Sequence, residues 1–195
     1  MSEQLLQHPD EESQQEKKPE LKFEHSCPID EIAQFISDVR AGQDRRMKLN
    51  PEQAVERIEY FLEKPNVIEL ILKRDEELIG CAFAYEQYKK DLAEEILDVN
   101  LFSRDGERIF SIREVDVKAE HRGKGFGRII MERIMREANQ KGATKLVLST
   151  FPDEDNPAYQ LYKKLGFKEV SQKQDPIHFY MSYEYERTNY PFQPS

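Results

Sequence analysis

The fold class predicted by this sequence is a single α/β domain in the broad sense that includes α+β, with a mixed, mostly antiparallel sheet flanked by helices. Three observations lead there. Apolar stripes at helical spacing alternate along the chain with short β-branched and aromatic runs, and a glycine-rich turn, His121 to Arg128, separates a strand-like run from a helix-like one. A chain of 195 residues with 38% hydrophobic content has enough apolar surface for one core and too little length for two comfortable domains.

Residues 1–20 are rich in Gln, Glu and Lys and poor in apolar side chains, which predicts a disordered tail. The domain is expected over 21–186, with a C-terminal tail over 187–195. Ile32, Phe35, Ile36 and Val39 share one stripe of a helix over 29–41, which Gly42 closes. Asn50 and Pro51, an N-cap residue followed by proline in the first turn, open a second helix carrying Val55, Ile58, Phe61 and Leu62. Residues 67–73 and 78–85 read as a hairpin around a charged turn. A further hairpin is expected between 96–103 and 108–117, because Asp105-Gly106 suits a type I′ turn. Within that last strand the apolar phase slips, from even positions at Phe110 and Ile112 to odd ones at Val115 and Val117. A β-bulge around residues 113–115 produces such a slip, and so does a strand buried on both faces. Ile130, Ile134 and Ala138 mark the helix after the glycine turn, with Gly142 at its C′ position. A strand over 145–150, a helix opened by Asn156-Pro157 and ended by Leu165-Gly166, and strands over 167–170 and 177–185 complete the order.

The glycine turn carries the chemistry. Gly123, Gly125 and Gly127 permit a tight backbone whose N–H groups converge at a helix N-terminus, where the dipole favours an anion. Arg122, Lys124 and Arg128 add positive charge. The turn lacks the spacing of a nucleoside-triphosphate loop, and Arg122 stands where a dinucleotide fingerprint begins with glycine. Ser149 and Thr150 occupy the place where such a fingerprint wants an acid.

Arg122-x-x-Gly125-x-Gly127 after Val115-Asp116-Val117 resembles the acetyl-CoA-binding motif of the GNAT superfamily of N-acetyltransferases. Asn156-Pro157-Ala158-Tyr159-Gln160-Leu161-Tyr162-Lys163-Lys164-Leu165-Gly166-Phe167 is similar to that superfamily's second cofactor segment, in the family's order and spacing. The resemblance covers roughly residues 111–167 and implies a GNAT-like fold with a splayed pair of parallel strands, which favours the bulge. It also implies acetyl-CoA as co-substrate. Its diphosphate would lie on backbone N–H groups of Arg122, Gly123, Lys124, Gly125, Phe126 and Gly127, with Arg128 adding charge, and its pantetheine arm along Val115, Asp116 and Val117. Asp155 replaces the asparagine that the superfamily often carries at its place, and neighbouring Asn156 is the candidate for the cofactor contact.

Acetyl transfer to an amine needs a neutral nucleophile, a stabilised oxyanion and a proton for the departing thiolate. The resemblance makes Tyr162 the candidate acid; core packing at helical spacing is its other reading. Glu114, beside the expected bulge, is the candidate base and Asp116 the second choice. No metal set and no defensible Ser/His/Asp arrangement emerges, and Cys27 and Cys81 read as reduced thiols. The net charge of −9, of which residues 1–27 supply −4 (seven acids, three bases), argues against nucleic-acid binding and is compatible with cationic amines. No apolar run has the length of a membrane span and no signal peptide is visible, so a cytoplasmic location is expected. The acceptor is a small-molecule or protein amine, with antibiotics, amino acids, N-termini and lysines all open, as are a larger acyl group and a homodimer. A non-catalytic acyl-CoA-binding module and a nucleotide-binding α/β protein are the competing classes.

Overall fold

One parallel pairing in an otherwise antiparallel sheet organises the molecule. The computed structural model describes residues 19–42, 48–88, 90–92, 106–151, 153–172 and 179–185. In chain order the elements are β1 (Leu21–Glu24), α1 (Ile29–Ala41), α2 (Pro51–Leu62), β2 (Ile68–Arg74), β3 (Glu77–Gln87), β4 (Ile109–Val117), α3 (Phe126–Gln140), β5 (Lys145–Thr150), α4 (Pro157–Lys164), β6 (Lys168–Gln172) and β7 (Phe179–Glu184). They form a seven-stranded sheet in the order β1-β2-β3-β4-β5-β7-β6. Only β4 and β5 run parallel.

The phase slip in β4 is a bulge. Phe83 faces Glu114 and Ala84 faces Ile112, so Arg113 is the extra residue. The parallel pairing of β4 with β5 covers only residues 109–112 against 145–148, so the two strands part at the bulge. Both edges of β4 over 109–112 are therefore occupied, by β3 and by β5, which corrects the expected hairpin with 96–103. That expected strand itself lies outside the described residues, as do positions 1–18, 177–178 and 186–195. β1 is an addition to the expected order. Its four residues are too few to show a period, and pairing with β2 is what makes them a strand.

Helices cover both faces. Ile130, Met131, Ile134 and Ala138 of α3 bury one face of the sheet with Leu70, Ala82, Phe110 and Leu146. Ile32, Ile36, Ile58 and Phe61 of α1 and α2 bury the other with Ile71, Cys81 and Phe83. β3 is sandwiched between them, which explains its nearly unbroken apolar run. Each such fully buried aliphatic or aromatic side chain contributes roughly 1.5–3 kcal/mol. Among the described residues, no helix is long and apolar enough to cross a membrane.

The helix ends follow local chemistry. Asn50 Oδ1 accepts from Gln53 N at 2.8 Å and Gln53 Oε1 accepts from Asn50 N at 3.1 Å, a reciprocal cap on α2. α4 closes with Gly166 at φ 91°, Gly166 N donating to Lys163 O and Phe167 N to Tyr162 O. That closure explains the Leu165-Gly166-Phe167 sequence, and it holds the Tyr162 and Phe167 rings 6.0 Å apart.

β3 meets α3 and β4 where Gly80 lacks a side chain. A Cβ there would stand 2.7 Å from Ile130 Cδ1 and 3.1 Å from Asp116 O. Gly80→Ala is expected to destabilise the protein by about 1–3 kcal/mol, read as a lower midpoint in chemical denaturation.

Candidate active site

The end of β4 delivers the chain into the glycine turn through a single turn of 3-10 helix, Ala119–His121. Gly123 (φ 72°) and Gly125 (φ 90°) adopt left-handed backbone that side chains resist, and Gly125 is the N-cap of α3. No atom approaches within 4 Å of the Cβ positions of either glycine, so the turn presents bare backbone. The first intrahelical bond of α3 is Ile129 N to Gly125 O at 3.1 Å. The N–H groups of Phe126, Gly127 and Arg128 precede it and have no partner within the helix. Lys124 and Arg128 are exposed, Arg128 pairing with Glu132 at 3.3 Å. Arg122 is exposed too, but its guanidinium folds back onto the backbone, donating to Val117 O at 3.0 Å and Val39 O at 3.3 Å. Its side chain thus braces the turn against β4 and α1. A Cβ at Gly127 would stand 3.4 Å from Leu161 Cδ2, so the start of α3 lies close against α4.

Beyond the bulge, Glu114 and Asp116 point away from α3 and towards α1 and α2. Both Glu114 oxygens are engaged, Oε1 accepting from Arg40 and Oε2 from Arg57 Nε at 2.9 Å. Asp116 is also buried, its Oδ2 3.5 Å from Arg40 Nε. Neither of those two atoms has a hydrogen-bond partner among the described residues. Burial raises the Asp116 carboxyl above the usual carboxylate range, and the nearby Arg40 charge opposes that rise. Arg57 is lowered to about 10, first by burial and then by the charges of Arg40 and Arg113.

These side chains line a cavity of about 650 Å³ that continues into the cleft between the parted strands, with Ile112 and Leu148 in its wall. Tyr162 and Asn156 close it from α4. Asn156 Oδ1 accepts from Ala158 N at 3.0 Å and caps the helix, while Asp155 is exposed and absent from the wall. Tyr162 is half-buried, and its phenol is pushed up to about 12 by burial and, next, by the Asp116 charge. Of the residues singled out from the sequence, Glu114, Val115, Asp116, Asn156 and Tyr162 meet in this cavity. Val117 and the turn from Arg122 to Arg128 stand outside its wall, at the head of α3.

Arg40 and Arg57 were not foreseen as site residues. Their signal was present: Arg40 stands four residues after Ile36 on the buried stripe of its helix, and Arg57, three after Ala54, borders the buried stripe of the next. A charged residue in phase with an apolar stripe needs a buried partner. No metal set is expected from the sequence. Among the described residues Glu77, Glu120 and His121 gather ligand atoms within 4.8 Å. Lys118 Nζ bonds both carboxylates, at 3.0 Å from Glu120, so an ammonium already supplies the positive charge there.

The family model described as the acetyltransferase (GNAT) family matches residues 34–167. The chain belongs to the GNAT acetyltransferase family. Members of the family use acetyl-CoA, and the bare turn beside the parted strands suits a ligand that has an anionic head and an extended arm. The fold is shared with a Streptococcus pneumoniae GNAT acetyltransferase at TM-score 0.62 and 17% identity, covering 86% of this GNAT chain and 100% of that one. It is shared too with the Thermoplasma acidophilum PaiA N-acetyltransferase solved with coenzyme A, at TM-score 0.61, 15% identity and 85% and 99% coverage. Arabidopsis thaliana NAA60, solved with a bisubstrate analogue, matches at TM-score 0.63, 16% identity and 85% and 98% coverage. A sequence search among curated proteins finds no match.

Removing Arg40 would take the cation from beside buried Asp116 and leave buried Glu114 with Arg57 alone. Arg40→Gln is expected to cost about 3–5 kcal/mol near neutral pH. The folded carboxyl of Asp116, already raised, would rise further without Arg40, so the folded state binds more protons than the unfolded one and is stabilised as pH falls. The deficit should therefore shrink on going from about pH 7 towards about pH 5, measured by denaturation at both values.

Proposed function

We propose that this GNAT protein transfers acetyl from acetyl-CoA to a primary amine by direct attack within a ternary complex. The observation that carries this reading is the cavity in which the parted strand ends, the buried Asp116 and the Tyr162 phenol meet. Its described wall contains no cysteine and no histidine. Cys81 is buried and its thiol is held well above the ordinary range, and Cys27 is pushed up to about 11 by burial, then by Glu31. Neither thiol is a competent nucleophile near neutral pH, which favours attack by the acceptor itself.

When bound, acetyl-CoA supplies the activated acyl group and a thiolate leaving group. The N–H groups at the head of α3 would hold the diphosphate, with Lys124 and Arg128 adding charge. Backbone at Val115 and Val117, beyond the last β5 pairing, would meet the arm. Asn156 spends its side-chain oxygen on the helix cap, so its amide NH2 is the group with which it would reach the ligand.

The assignment of the base follows from the two carboxylates' different surroundings. Glu114, the first choice from sequence, serves both oxygens to guanidinium groups, and an anion so held is a poor proton acceptor. Its role is to position Arg40 and Arg57. Asp116, raised by burial and with Oδ2 unbonded, is better matched to taking a proton from an ammonium. Acid and base are coupled, because the Asp116 charge is the second cause that raises Tyr162. Once Asp116 is protonated that charge is gone, and the phenol becomes a stronger acid when a thiolate needs its proton. Tyr162 remains protonated near neutral pH throughout.

Gly125→Glu would place bulk and negative charge in left-handed backbone at the turn, so loss of measurable coenzyme A binding by calorimetry is expected; unchanged affinity would refute the site. Tyr162→Phe should lower kcat roughly 10²-fold with little change in coenzyme A affinity, tested by steady-state kinetics beside the same titration.

A further inference from the structure

We propose that the acceptor is a small primary amine that also carries a carboxylate, bound with its amine towards Asp116 and its carboxylate towards Arg57. This rests on the acyl-transfer reading above and names the substrate class of that site.

Charge in the cavity wall runs opposite to charge in the chain. Among the described residues of the wall, Arg40, Arg57 and Arg113 stand beside Glu114 and Asp116, a formal sum of three minus two, or +1, whereas the whole chain carries −9. An acceptor bearing only an ammonium would raise the local sum in a partly enclosed site, where like charges interact more strongly than in water. A carboxylate on the same molecule cancels that addition. The overall acidity that seemed compatible with cationic amines is thus the wrong guide here.

Two groups of the cavity wall differ in kind. Asp116 lines the cavity, and its buried Oδ2, 3.5 Å from Arg40 Nε, has no hydrogen-bond partner among the described residues, so a small displacement of the carboxyl would present an acceptor to an amine N–H. Arg57 gives Nε to Glu114 at 2.9 Å, while its side chain keeps 37% exposure against 10% for Arg40. Its terminal amino groups are the fork that recognises a carboxylate in two-point fashion. The Phe61 ring 5.1 Å from its Cζ backs the guanidinium plane. Burial first, and then the charges of Arg40 and Arg113, lower Arg57, and a bound anion would offset both. At about 650 Å³, shared with the parted-strand cleft, the space suits a small molecule.

The test follows thiol release by the full chain with acetyl-CoA and matched acceptors: α-amino acids, their carboxamides, the corresponding decarboxylated amines, and peptides beginning with Asp or Glu. For at least one side-chain series, kcat/KM should favour the acid over its carboxamide by about tenfold or more, equivalent to ~1.4 kcal/mol. Arg57→Gln should collapse that ratio, chiefly through KM, and Arg57→Lys should restore part of it. Should Arg57→Gln fail to fold, inhibition of the wild-type protein by N-acetyl amino acids against their carboxamides gives the same comparison, the acids being expected to inhibit more strongly. Carboxamides or decarboxylated amines equal to the acids in every series, or a ratio unchanged in a folded Arg57→Gln protein, would overturn the inference while leaving acyl transfer intact. A preference for the acidic peptides would overturn the small-molecule assignment. Coenzyme A binding without turnover of any acceptor would overturn the acyl-transfer reading and this inference with it.

Discussion

Everything at the site depends on one surplus residue in β4. Arg113 has no opposite number on β3, and the bulge that absorbs it shifts the positions of β4 that face α3 from even to odd numbers. Before it, Phe110 and Ile112 enter the core under α3; after it, Val115 and Val117 occupy that side. Glu114 and Asp116 are thereby turned towards α1 and α2. In unbroken register the two carboxylates would point into the apolar layer beneath α3, with no arginine to meet them. The same residue ends the pairing with β5 and opens the cleft. A single insertion supplies both the opening and the charged wall.

The charged wall in turn constrains the helices. Arg40 bridges Glu114 and Asp116, and Arg57 reaches Glu114 from the next helix, so the α1–α2 pair is tied to the sheet by ionic contacts as well as by the Ile36, Ile58 and Phe61 layer. Such a cluster adds little net stability over an apolar one of equal volume, because desolvation offsets the attraction. Its value is positional: the carboxylates tolerate few arrangements in which every charge has a partner. Arg122 extends the bracing to the glycine turn through Val117 and Val39.

Much of this could be read from residues in order. The stripes of α1 and α3, the Asn50-Pro51 and Asn156-Pro157 starts, and the β4 phase slip depend on local periodicity and capping, which neighbouring residues reveal. β1 escaped because its four residues owe their strand to β2. The expected hairpin before β4 failed for a related reason, since β3 and β5 claim both edges and a turn motif says nothing about distant competitors. At the site, the glycine turn and Tyr162 belong to short motifs. The pairing of Glu114 with Arg40 and Arg57 spans 74 and 57 residues, so the motif could locate the carboxylate without exposing what binds it. The return of the Arg122 side chain onto the backbone was equally hidden, because its acceptors are carbonyls brought near only by folding.

The exposed Lys124 and Arg128 sit on a body of net charge −9. A multiply anionic ligand approaching from afar meets repulsion, and near the head of α3 it meets attraction. Mobile ions weaken the far field first, since at physiological ionic strength the screening length is about 8 Å. For the diphosphate proposed at the head of α3, salt would therefore aid encounter over long distances, with only the last few ångströms of approach guided by the turn itself.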